Sequence, residues 1–99
     1  MKKAVGKVIK AFREHLNYKQ EFVAKKLNVT VATLANIENG RVSIDIMKLH
    51  KLSIIFKVPL RDIVTLASEI FEKGSDEGLR FAVAYMRNDV SDTDLELAC

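Results

Sequence analysis

Between Val29 and Gly40 the chain reads "VTVATLANIENG". Asn36 offers a side-chain amide, Thr30 and Thr33 offer hydroxyls, and Val31 and Ala32 are small and apolar. Such groups make and break no bonds, but they can recognise. An Asn amide can bond an adenine edge bidentately, a Thr hydroxyl can bond several bases, and Val or Ala can pack on a thymine methyl. The stretch holds neither Lys nor Arg. A polyanion meeting it has to be held by charge placed elsewhere.

Other reactive residue types do not assemble into a site. His15 and His50 lie far apart, with no Cys or carboxylate at ligand spacing, so no metal is expected. Ser43, Ser53 and Ser75 read as caps or small packing residues, without a nucleophile elbow around them. Asp92, Asp94 and Glu96 read as a solvated acidic tail. With no catalytic constellation and no phosphate-cradling loop, neither an enzyme nor a cofactor is expected.

A chain of 99 residues is one domain's worth, with a modest core for its surface. It is 48% apolar and 29% charged, as in soluble globular proteins. The lone Cys99 builds no disulfide framework, so a reducing cytoplasm is the expected setting. The opening "MKKAVGKVIKAFREH" lacks the uninterrupted apolar run of a signal peptide or membrane span. Charge is unevenly placed. Residues 1–73 carry fourteen Lys/Arg against seven Asp/Glu, a balance of +7, while residues 74–99 carry two against six, a balance of −4. A basic front suits a polyanion, and an acidic rear would be kept away from it.

The elements that must position these residues are helical. Val5, Val8, Ile9, Phe12 and Leu16 recur at helical period, which predicts helix 1 from about Lys3 to His15. "KQEFVAKKL" predicts helix 2, with Phe22, Val23, Ala24 and Leu27 as its buried face. Asn17 and Asn28 stand where left-handed turns are needed. Thr30 caps helix 3, which runs to Glu38 or Asn39 and stops at Gly40. Ser43 is expected to cap helix 4, with Asp45 in its first turn and Ile46, Leu49, Leu52, Ser53 and Phe56 buried. Pro59 opens helix 5, "LRDIVTLASEIFEK", and Gly74 ends it. "SDEGLRFAVAYMRND" predicts a further C-terminal helix.

Helices 2 and 3 are joined by a turn of about three residues, the spacing of a helix-turn-helix over residues 20–39. Ala24 is small enough for a close crossing, Val29 and Leu34 fill the space between the helices, and Ile37 anchors helix 3. In "VGKVIKAFREHLNYKQEFVAKKLNVTVATLANIENGR" and "LHKLSIIFKVPLRDI" the chain resembles the Cro and phage-repressor helix-turn-helix family, also called XRE, from Val5 to about Val64.

The resemblance implies an all-α, five-helix domain over residues 1–73 that binds double-stranded DNA, with helix 3 in the major groove. Gln20 matches a phosphate-binding position at a helix N-terminus. Thr30, Val31, Ala32, Thr33 and Asn36 match the face turned to base edges, which leans toward an A·T-containing half-site. Asn39 and Arg41 match backbone contacts, and Arg13 and Glu38 match a structural salt bridge. Lys7, Lys10, Lys19, Lys25, Lys26 and Arg41 supply the charge that helix 3 lacks. Two positions depart from the family pattern. Lys19 replaces the usual Ser or Thr cap, where its charge opposes the dipole unless a phosphate is near. Lys57 replaces a frequent Gly before Val58, which bears on the turn between helices 4 and 5.

Residues 74–99 match nothing in that pattern. Leu79, Val83 and Met86 form one apolar stripe flanked by Phe81 and Tyr85, which can pack back on the domain or pair with another chain. Pairing is the expectation, because two half-sites must be held about one DNA turn apart. The sequence therefore predicts a homodimeric transcriptional repressor of a near-palindromic operator, in the cytoplasm and on the nucleoid when bound. The rival is an antitoxin-type protein whose C-terminal helix binds a partner protein, such as a toxin, while the chain represses its own operon.

Overall fold

The computed structural model describes residues 1–74. These form an all-α domain of five helices: α1 (Lys2–His15), α2 (Gln20–Leu27), α3 (Val31–Glu38), α4 (Ile46–Phe56) and α5 (Leu60–Lys73). The helix predicted over residues 75–89, with Leu79, Phe81, Val83, Tyr85 and Met86, lies outside the described residues, as does the acidic tail.

The core follows from the apolar periodicity. Val8, Ile9 and Phe12 of α1 meet Val23, Ala24 and Leu27 of α2, Leu34 and Ile37 of α3, Leu49, Leu52 and Phe56 of α4, and Ile63, Leu66 and Ile70 of α5. Val5, Leu16 and Val29 pack at its margin. Helix α1 is the hub, packed on both α5 and α3, while α2 lies against α3 and α4. The rings of Phe12 and Phe56 stack with centroids 5.8 Å apart, joining α1 to α4.

Three expectations are corrected. Ser43 does not cap α4; Asp45 does, accepting from the Lys48 N–H at 2.8 Å. An ionised carboxylate is the stronger acceptor, and Lys48 Nζ holds it from the far side at 2.9 Å. Ile46 thus becomes the first helical residue, beyond the buried face, and is 61% exposed. Phe22 is likewise 43% exposed, because Val23, Ala24 and Leu27 fill the inner face of α2. Its ring lies between Tyr18, at 4.8 Å between centroids, and the Lys26 ammonium, at 5.7 Å.

The turn between α4 and α5 keeps a glycine's geometry without glycine. Lys57 takes the left-handed conformation, φ 60°, and the Val58 N–H then reaches the Ser53 carbonyl at 2.9 Å.

Candidate nucleic-acid interface

The turn between α2 and α3 is set by Asn28, which is left-handed at φ 63°. It lets the N–H groups of Asn28 and Val29 close back on the Lys25 and Ala24 carbonyls. Ala24, buried and small, admits α3 beside α2. Thr30 then caps α3, accepting from the Thr33 N–H at 3.0 Å. Its own hydroxyl donates to the Thr33 hydroxyl at 2.9 Å. Thr33 therefore has one acceptor site filled and its O–H still free to donate. Leu34 and Ile37 lock the inner side of α3 into the core. Thr30, Val31 and Ala32 are exposed, and Thr33 and Asn36 half-exposed. All five residues assigned to base edges thus remain accessible.

The end of α3 is fixed by two glycines of different kinds. Gly40, at φ 76°, carries the chain out of the helix. The Arg41 N–H returns to the Asn36 carbonyl at 2.9 Å, and Asn39 and Arg41 are exposed there. Gly6 in α1 lies against this end. A Cβ on it would meet the Ile37 carbonyl oxygen and sit 2.6 Å from that of Glu38. Only glycine lets α1 approach α3 so closely.

Arg13 and Glu38 meet at this crossing. Arg13 Nε donates to Glu38 Oε2 at 2.7 Å and Nη2 to Oε1 at 3.2 Å, a two-point pairing, while Nη1 donates to the Tyr18 carbonyl at 2.9 Å. Their side chains are 11% and 2% exposed. Gln20 Nε2 also donates to Glu38 Oε1, at 3.0 Å. Reasoning from the sequence missed this bond, and Gly6 as well. The signal for Gly6 was a helical glycine seven residues, about two turns, before Arg13 on the same side.

Lys19 precedes α2 with extended backbone and supplies no side-chain cap. The first N–H groups of α2 are left open to an outside acceptor. Lys19, Lys25, Lys26 and Arg41 are all exposed, as are Lys7 and Lys10 on α1. The charge that α3 lacks stands on elements packed beside it.

A capped and anchored second helix with an accessible polar face, set across a basic first helix, defines a helix-turn-helix DNA-binding domain. The helix-turn-helix family pattern matches residues 9–63, more than half of the chain, and the chain belongs to this family, of the XRE type. Membership carries the coarse function: a DNA-binding transcriptional regulator, of a kind that is typically non-enzymatic. The crystal structure of the clp gene regulator ClgR from Corynebacterium glutamicum is similar in fold, with a TM-score of 0.69 over 85% of this chain and 90% of that one, at 18% identity. Among curated proteins none matches the sequence. No helix among the described residues is long and apolar enough to cross a membrane.

Proposed function

We propose that this chain is a sequence-specific transcriptional repressor that binds a near-palindromic operator as a homodimer, with α3 in the major groove. The observation that carries the reading is the accessible face of Thr30, Val31, Ala32, Thr33 and Asn36 on a helix whose opposite side is anchored by Leu34 and Ile37. These residues read base edges, and Lys19, Gln20, Asn39 and Arg41 contact the DNA backbone around them. Selection of binding sites from a random duplex pool tests this. A recovered site with two inverted half-sites supports the reading, and recovery of unenriched sequence contradicts it.

The dimer interface in this proposal comprises α5 and residues 75–90, including Leu79, Phe81, Val83, Tyr85 and Met86. Val64 and Phe71 on α5 are exposed and apolar, which favours a covering surface there. Sedimentation of the full chain against a chain ending at Lys73 decides it. Loss of the dimer on truncation is expected. A truncated chain that stays dimeric with unchanged affinity would remove the C-terminal segment from the interface. Weight would then move to the rival, in which that segment binds a partner protein.

A further inference from the structure

The Glu38 carboxylate is accept-only, so Gln20 can face it only with its NH2 group. The bond from Gln20 Nε2 to Glu38 Oε1, 3.0 Å long, therefore fixes which way the Gln20 amide is turned. One Nε2–H is used by Glu38, and the second is left for an acceptor outside the domain. Glu38 cannot swing to follow an alternative, because Arg13 holds both its oxygens, at 2.7 and 3.2 Å. Arg13 is itself held by the Tyr18 carbonyl at 2.9 Å. Glu38 is the last residue of α3 and Gln20 the first of α2, so this one carboxylate links the two helices of the motif.

We propose that Glu38 is a positioning residue for DNA-backbone binding: it locks the Gln20 amide, before DNA arrives, in the orientation that presents an N–H to phosphate. The inference rests on the reading of Gln20 as a phosphate contact. An unlocked amide would offer its oxygen to the phosphate in half of its orientations, and that contact is repulsive. Locking it in the free protein removes the ordering of a flexible side chain from the binding step. The locked N–H also stands beside the uncapped N-terminus of α2, where the backbone N–H groups favour the same anion.

Two measurements on the full chain test the proposal. The first is the heteronuclear NOE of the Gln20 side-chain NH2 in the free protein, expected to be as rigid as the backbone. It should become mobile in the paired variant Arg13→Met/Glu38→Leu, which exchanges the buried ion pair for apolar groups of similar volume and so spares the fold. The second is affinity for selected operator and random duplex. The paired variant should bind both about 3- to 10-fold more weakly per half-site, at unchanged thermal stability. Gln20→Asn, which is one methylene too short to serve Glu38 and phosphate together, should lose as much affinity as Gln20→Ala. A mobile Gln20 amide in the free wild-type protein overturns the proposal, as does wild-type affinity in Gln20→Asn. The Gln20→Asn arm decides the matter even where the paired variant fails to fold. Failure of the wild-type chain to bind any duplex would instead sink the DNA reading, while the amide's rigidity would still report on the lock.

Discussion

Arg13 and Glu38 stand 25 positions apart, yet they tie α1 to the end of α3 through a pairing that solvent barely reaches. Removing either partner leaves a buried charge without its counterion. Arg13→Ala and Glu38→Ala are each expected to destabilise the domain by about 3–5 kcal/mol, read as a lower urea midpoint at unchanged m-value. Loss of under about 1 kcal/mol would show that the pair is far more hydrated than its burial indicates. Periodicity alone says nothing about this contact, because it places residues on a helix face but not against a residue of another helix. The pair was legible only through the family pattern. Gln20 shows the limit of that pattern, which supplied a phosphate role but not the bond to Glu38 that orients the amide. Thr30 was legible by mechanism, since a hydroxyl just before an apolar helical run has an unpaired N–H within reach.

The five helices were legible at the scale of elements because each carries an apolar stripe at helical period and ends on Asn, Gly or Pro. Their starts were less so. Ser43 and Asp45 are both capping residues two positions apart, and only the reach of Lys48 decides between them. That cap has a pH signature. The backbone N–H of Lys48, then its side chain, hold the Asp45 carboxyl below its ordinary value of 3.8. A lowered carboxyl pKa stabilises the fold above the ordinary value, and that contribution is lost as pH falls through the lowered one. Asp45→Asn keeps an acceptor but not the charge. Thermal melts should therefore show the wild-type advantage over this variant flat from pH 5 to 8 and shrinking below pH 4. An advantage independent of pH would contradict the assignment of the cap. The turn after α4 gives a second test. Lys57 holds a left-handed conformation that costs a non-glycine residue about 1–2 kcal/mol. Lys57→Gly relieves this strain but loosens the unfolded chain, so a net gain of about 0.5–1 kcal/mol is expected in urea denaturation. A loss of stability would mean that the Lys57 side chain contributes more than its backbone costs.

Over the whole molecule there is a contrast between a basic surround and an α3 that carries neither Lys nor Arg. The sequence carried that contrast openly, as a +7 balance over residues 1–73 beside a stretch without Lys or Arg. It did not carry how closely α1 approaches α3. That distance depends on the absence of a side chain at Gly6, and an absent side chain leaves no periodic signal. If affinity comes from phosphates and specificity from α3, the two should respond to different perturbations. The most direct measurement is the affinity of the wild-type chain and of Asn36→Ala for selected operator and random duplex, across a salt series. With about four to six phosphates neutralised per dimer, the log–log slope should be roughly −4 to −5 for both proteins. Asn36→Ala should lower the operator-to-random ratio by about 1–3 kcal/mol and leave that slope unchanged. An unchanged ratio in a folded Asn36→Ala protein, or a slope near zero in the wild type, would contradict the account.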